Sequence, residues 1–176
     1  MIRADFNDKI ILYFRHQIPL LSTVVLLLIC FLPINSPEFN YFRPNIGMIC
    51  IFYWAFKRDY LFSYFSAFLV GFLMDVYSSV PLGCNILIAL LIVFMTRRMI
   101  RFFQSAPFGL CWALFAIIWL WGVIIKWLML SAYFESFLSL NEIVINYCAT
   151  VLCYPFVASV NVWIQNKFLP QERINE

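Results

Sequence analysis

The sequence is poor in charge and in the residue types that most enzymes use. Only 12% of its 176 residues are charged, histidine occurs once, at His16, and glycine occurs five times. It contains no G-x-S-x-G, no H-E-x-x-H and no phosphate-binding P-loop. A net charge of +3 is too small to indicate nucleic acid binding. We therefore predict a protein that is not an enzyme, has no catalytic residues and needs no cofactor.

Cysteine pairs are also missing. The six cysteines occur singly within apolar stretches, and no C-x-x-C spacing is present. Isolated cysteines of this kind are typical of small buried hydrophobic residues, not of metal ligands or a disulfide framework. We expect this role for Cys30, Cys50, Cys84, Cys111, Cys148 and Cys153, and we predict no metal site.

Apolar residues dominate instead. They make up 64% of the chain, with 20 phenylalanines and 6 tryptophans, which is more apolar surface than a soluble domain of this size can bury. Charged and turn-forming residues divide the chain into six apolar blocks. We predict an all-α integral membrane protein, a single polytopic domain over residues 1–176. Its six transmembrane helices are expected at about 18–33, 42–56, 60–75, 84–98, 107–130 and 143–164.

The basic residues orient these blocks. If the N-terminus is cytoplasmic, ten of the twelve lysines and arginines lie inside, whereas the opposite topology exports nearly all of them, against the positive-inside rule. We therefore predict that both termini are cytoplasmic. The ten residues are Arg3, Lys9, Arg15, Lys57, Arg58, Arg97, Arg98, Arg101, Lys167 and Arg173. We expect Arg97, Arg98 and Arg101 to extend the fourth helix beyond the bilayer and to face anionic lipid headgroups.

Small residues follow one face of the third block. Ser63, Ala67, Gly71 and Asp75 occur at i, i+4, i+8 and i+12, and in an apolar helix such small residues let another backbone approach closely. A carboxylate at the bilayer centre costs about 2.5–3.5 kcal/mol on insertion scales. Two interpretations remain open. Either this face, with Asp75 and the following Gly83, packs on a partner or a neighbouring helix, or Asp75 marks a helix end at the membrane surface.

Lys126 is a second ionisable residue inside an apolar block. We expect it either to extend its ammonium to the outer headgroups or to pair with Asp75, because both residues reach the outer third of the bilayer. Arg43 is a competing cation for Asp75, and Glu135 and Glu142 are competing acids for Lys126.

The sixth block carries polar residues on one face and a proline. We expect Pro155 to interrupt the helix and to free the carbonyl of Val151. The polar residues are expected to form hydrogen bonds across helices, with a ligand pocket as the alternative. They are Asn146, Thr150, Cys153 and Tyr154.

Two segments resemble a known family. The stretch RPNIGMICIFYWAF and the basic turn KRD after it are similar to the second segment of the rod shape-determining protein MreD family. Gly71 and Asp75, followed by Gly83 and the apolar ILIALLIVF, resemble that family's G-x-x-x-D…G signature.

The resemblance implies a non-enzymatic scaffold of the bacterial rod-shape, or elongation, complex in the inner membrane, supporting lateral peptidoglycan synthesis and cell shape. The implied partners are an MreC-like bitopic protein and, through it, MreB-like actin filaments, a SEDS glycosyltransferase and a class B penicillin-binding protein, together with anionic lipids. The family is also similar in fold to substrate-binding components of energy-coupling-factor transporters. The alternative function is therefore binding of a vitamin-like small molecule for a transporter. The first block speaks against it, because IPLLSTVVLLLICFLP lacks the A-x-x-x-A docking pattern of those components. An orphan channel or transporter would require more polar residues at mid-membrane.

Overall fold

The computed structural model describes residues 2–31, 44–78, 80–103, 107–135 and 139–169, with side chains from residue 17 onward. Within these ranges all regular structure is helical, which confirms the all-α fold class. The six helices are α1 (Ile2–Phe31), α2 (Ile46–Lys57), α3 (Tyr64–Tyr77), α4 (Cys84–Phe103), α5 (Phe108–Phe134) and α6 (Leu140–Phe168).

The helices differ in their capacity to cross a membrane. Two of them, α5 with 27 residues and α6 with 29, are long and apolar enough to do so. By contrast, α2 has 12 residues and α3 has 14. At 1.5 Å per residue they measure only about 18 and 21 Å, less than the ~30 Å hydrocarbon core.

Several helix bounds differ from the predicted blocks. The first helix begins at Ile2, well before the start of the predicted span at residue 18. The third helix begins at Tyr64 instead of residue 60, because the chain first makes a turn after Arg58 and Ser63 then caps α3. The fourth helix continues to Phe103, as expected for a basic extension, and the fifth continues to Phe134, four residues past the predicted end.

The short helix α2 lies at the centre of the bundle. It contacts α1, α3, α4 and α6, and all ten residues of Gly47–Phe56 are buried. A helix that is apolar on every side is stable only where protein or lipid keeps water away from it. The central position therefore accounts for the composition of α2, since its neighbours shield it on every side.

Pro155 does not interrupt α6, so that part of the prediction was wrong: the helix runs from Leu140 through Phe168. The freed carbonyl of Val151 was predicted correctly. Proline removes the hydrogen bond to the carbonyl four residues earlier. That carbonyl, on Val151, accepts a hydrogen bond from Trp112 Nε1 of α5 at 2.9 Å. The neighbouring helix thus supplies the missing donor, as is common for prolines inside membrane helices.

Large apolar side chains cover the outside of the bundle. Phe65, Phe102, Phe156 and Trp163 each expose between 60% and 83% of their surface. Soluble monomers rarely expose extensive apolar patches. This exterior suits a lipid environment.

Candidate functional site

The connection between α3 and α4 is built around one buried carboxylate. Asp75 is only 2% exposed, and its oxygens accept hydrogen bonds from the backbone amides of Gly83 at 2.8 Å, Asn85 at 2.8 Å and Ile86 at 3.4 Å. The first backbone amides of a helix have no hydrogen-bond partner within the helix. The helix dipole also makes this end positive, which favours a bound anion. Asp75, near the end of α3, therefore caps the beginning of α4.

Gly83 gives this cap its backbone geometry. Its φ of +105° lies in a region that L side chains rarely adopt, whereas glycine does so freely. A Cβ atom at this position would meet nothing within 4 Å. The requirement for glycine is therefore conformational: the positive φ belongs to the turn that directs the Gly83 amide to Asp75 Oδ2.

The small-residue face of α3 packs on the backbone of α4. A Cβ atom on Gly71 would lie 2.7 Å from Ile86 Cα and 3.0 Å from the carbonyl oxygen of Asn85, so any side chain here displaces α4. Ala67 is fully buried on the same face. Ser63 has a different role, because its exposed Oγ accepts a hydrogen bond from the Ser66 amide at 3.2 Å and caps α3. The structure thus brings Ala67, Gly71 and Asp75 together against the next helix in the chain.

Lys126 reaches this cap through an intermediate residue. Its Nζ donates to Asn85 Oδ1 at 3.3 Å, and the Asn85 amide is one of the donors to Asp75. The ammonium therefore contacts Asn85 and not the carboxylate itself, and a polar line joins α3, α4 and α5. Asn85 is 1% exposed, and its Nδ2 is buried without a hydrogen-bond partner. Sequence reasoning did not single out Asn85, although an amide in the first turn of a strongly apolar block is a usable signal.

A second set of polar contacts joins α2 to α6. Asn45 donates from Nδ2 to Asn146 Oδ1 at 2.8 Å and from its backbone amide to Thr150 Oγ1 at 3.1 Å. Further along both helices, Tyr53 donates to Gln165 Oε1 at 2.8 Å. Residue numbers rise together in the two helices, so α2 and α6 run parallel. The cross-helix hydrogen bonds expected for Asn146 and Thr150 are confirmed.

Tyr154, from the same predicted polar face, belongs to the aromatic core. Its ring stacks on Phe115 of α5, with 4.8 Å between the ring centroids, and meets Phe52 of α2 edge-on at 6.0 Å. Its side chain is 2% exposed. This residue therefore contributes apolar packing between three helices.

At the opposite end of the α3–α4 pair, an arginine holds a connecting segment. Arg97 Nη2 donates to the carbonyl oxygens of Asp59 and Phe62, both at 2.9 Å, and its guanidinium lies 4.6 Å from the centre of the Tyr64 ring. Arg97 thus ties the α2–α3 connection to α4. The sequence predicted that this guanidinium faces lipid headgroups, but it contacts protein.

The other two predicted lipid-facing arginines are exposed. Arg98 lies over the Phe94 ring, with its guanidinium carbon 5.4 Å from the centroid. Arg101 is one turn beyond Arg97, and both residues line a surface cleft of about 480 Å³. Arg98 and Arg101 are thus exposed, whereas Arg97 is partly buried against the α2–α3 connection.

The site geometry serves to fix helices to one another. Asp75 and Arg97 both bind main-chain groups of a neighbouring segment, and Asn45 and Asn85 bridge helices. Within the described ranges, no three His, Cys, Asp or Glu side chains are grouped so that they could hold a metal ion. The six cysteines are free thiols. The expected buried position is confirmed for Cys50, Cys84 and Cys111 but was wrong for Cys30 and Cys148, which are exposed.

Comparison with known protein families gives a match. A family model described as rod shape-determining protein MreD matches residues 9–163, which include every helix except the ends of α1 and α6. No curated protein and no solved structure gives a significant match.

Proposed function

Because this chain belongs to the rod shape-determining protein MreD family, we propose that it is a non-enzymatic scaffold of the bacterial rod-shape complex. Members of this family are membrane proteins that act in rod-shape determination. The match over residues 9–163 carries the proposal, since it covers nearly all of the helical bundle and not one short motif.

The packing of the bundle agrees with a scaffold role. Its centre is filled by α2, whose residues Gly47–Phe56 are all buried by the surrounding helices. The buried Asp75 and the partly buried Arg97 are occupied by main-chain groups. A transporter component that binds a vitamin-like molecule needs a pocket with a few convergent polar groups among its helices. The filled centre favours the scaffold over this alternative.

We place the protein in the inner membrane with six crossings and both termini in the cytoplasm. The parallel course of α2 and α6 supports this, because alternate crossings make every second helix parallel. Lys57, Arg58, Arg97 and Arg101 lie at one end of the helices, around the α2–α3 connection. The positive-inside rule assigns that end to the cytoplasm.

The proposed direct partner is an MreC-like protein with one transmembrane helix. Through it, the scaffold would connect to MreB-like actin filaments and to a SEDS glycosyltransferase with its class B penicillin-binding protein, which carry out lateral peptidoglycan synthesis. Contact within the bilayer uses outward-facing apolar surfaces, because helices in lipid associate by packing and hydrogen bonds.

Affinity purification from native membranes tests this function. The tagged protein should recover an MreC-like bitopic protein, whereas a tagged multi-pass protein of similar size from the same membranes should not. Depletion of the protein from rod-shaped cells should make the cells round. Recovery of an ATPase module, with depletion reversed by a supplied vitamin, would contradict the scaffold role and favour the transporter component.

A further inference from the structure

A charged cleft lies where the α2–α3 connection meets the end of α4. It has a volume of about 480 Å³. Its walls carry charges of both signs and an apolar residue, and they are formed by Asp59, Tyr60, Arg97, Ile100 and Arg101. This cleft lies at the far end of α4 from the Asp75 cap.

Two arginines form the basic part of the lining. Arg97 is held in place by the two carbonyls that its Nη2 binds and by the Tyr64 ring, while its Nε is buried without a hydrogen-bond partner. Arg101 follows four residues later, so its exposed guanidinium is on the same side of α4. Guanidinium groups match the oxygens of a phosphate in charge and in planar donor geometry.

The acidic residue of the lining disfavours a ligand that is only anionic. Asp59 lines the cleft and is exposed, and a carboxylate repels phosphate and attracts an ammonium group. Beside it, the Tyr60 hydroxyl is positioned by a hydrogen bond from Arg58 Nη1 at 2.9 Å. A ligand that carries both a phosphate and an ammonium therefore fits both charges of the lining.

The surroundings of the cleft indicate a lipid. The side chains of Tyr64, Phe65 and Phe102 are large, apolar and exposed around this end of α3 and α4, and Phe102 exposes 83% of its surface. Tyrosine is enriched at the membrane interface, where headgroups lie, and the exposed phenylalanines suit the adjoining acyl chains. Acyl chains attached to a bound headgroup would continue along this apolar exterior.

We propose that the cleft binds the headgroup of a phospholipid that carries a phosphate and a primary ammonium, of the phosphatidylethanolamine class. Arg97 and Arg101 bind the phosphate, and Asp59 accepts hydrogen bonds from the ammonium. The proposal depends on neither the rod-shape role nor the direction of insertion, since it requires only that this end of the helices meets a headgroup layer.

Native mass spectrometry of the full-length protein in detergent tests the site. Short-chain phosphatidylethanolamine, phosphatidylglycerol and phosphatidylcholine are offered separately. Wild-type protein should retain phosphatidylethanolamine about two- to fivefold better than the other two lipids, the effect of one exposed ion pair. Asp59→Asn should lower retention of phosphatidylethanolamine to the level of phosphatidylglycerol. Arg101→Gln should weaken retention of all three lipids, whereas Arg98→Gln, outside the cleft, should change none.

Each alternative occupant gives a distinct result. Displacement of the lipid by inorganic phosphate at equal concentration would identify a free-anion site and overturn the proposal. An unchanged lipid preference in Asp59→Asn would also overturn it. If wild-type and Arg101→Gln retain every lipid equally, the cleft does not select a headgroup, and a protein segment becomes its better occupant.

Discussion

The two ends of the α3–α4 pair are fixed by the same device with opposite charge. At one end, the carboxylate of Asp75 accepts hydrogen bonds from backbone amides at the beginning of α4. At the other end, the guanidinium of Arg97 donates hydrogen bonds to backbone carbonyls of the connection that precedes α3. In both cases one charged side chain satisfies main-chain groups that a helix or turn leaves without partners.

The ends differ in their access to water. Asp75 is 2% exposed, and next to it Gly71 allows the α3 and α4 backbones to touch. Arg97 is partly exposed and borders an open cleft. A buried charge that loses its partners is expensive, whereas a hydrated one is compensated by solvent. We therefore expect the Asp75 end to govern stability and the Arg97 end to retain capacity for a ligand.

The largest expected effect is at Asp75. Asp75→Ala leaves the amides of Gly83 and Asn85 without their acceptor, and at about 1–3 kcal/mol for each unsatisfied buried group we expect a loss of about 3–5 kcal/mol in the free energy of unfolding. Asp75→Asn keeps one acceptor oxygen, so its loss should be roughly half as large. Denaturation in detergent measures both. Glu142→Ala, at an exposed acidic residue in the first turn of α6, is the control. Equal stability of Asp75→Ala and this control would disprove the cap.

The backbone contact at Gly71 should give the next largest effect. Gly71→Ala places a methyl group against Ile86 Cα, and since neither backbone can yield locally we expect a loss of about 1–3 kcal/mol, typical of overpacking. Gly109→Ala is a matched control, because a Cβ atom there meets nothing within 4 Å. The control should be neutral or stabilising, since alanine favours helix by up to about 1 kcal/mol over glycine. Similar stabilities of the two variants would show that α3 and α4 are not in backbone contact.

The sequence was sufficient to predict part of this comparison. Helical spacing placed Ala67, Gly71 and Asp75 on one buried face, because that inference needs only the period of the helix. It could not identify backbone amides as the partners of Asp75, since these meet the carboxylate only when Gly83 adopts its positive φ. That contact depends on the path of the turn, which no spacing of residues specifies.

At the other end, spacing was less informative. The four-residue spacing of Arg97 and Arg101 correctly predicted that both lie on one side of α4. It did not predict what that side contacts. Arg97 lies against Asp59 and Phe62 because residues 58–62 form a turn, where a longer helix from residue 60 had been predicted. The central position of α2 was not predicted either, because residues 42–56 were interpreted only as one of six membrane spans.

Arg97 should give a moderate effect. Arg97→Gln removes a charged donor from two carbonyls that lie close to water, so we expect a loss of about 1–2 kcal/mol and faster proteolysis of residues 58–63. Arg97→Lys should recover little of the lost stability, because an ammonium lacks the planar fork of the guanidinium. Arg98→Gln, at the next and exposed position, should change stability by less than about 0.5 kcal/mol. If both glutamine variants are equally stable, the two carbonyl contacts do not hold the turn.

The smallest expected effect concerns Lys126, and a double-mutant cycle sharpens its assignment. Lys126 contacts Asn85 at 3.3 Å, and Asn85 separates it from Asp75, so coupling should be strongest between Lys126 and Asn85 and weaker between Lys126 and Asp75. We expect about 0.5–1 kcal/mol for the first pair, in the range of hydrogen bonds between membrane helices. The combination of Lys126→Met with Asn85→Leu should restore part of the stability that either single change removes, since no buried polar group is left alone. Additive effects in both cycles would instead show that Lys126 extends to the headgroups and that its contact with Asn85 adds nothing. If Lys126 couples more strongly to Asp75 than to Asn85, the result would support the direct Asp75–Lys126 ion pair that the sequence suggested.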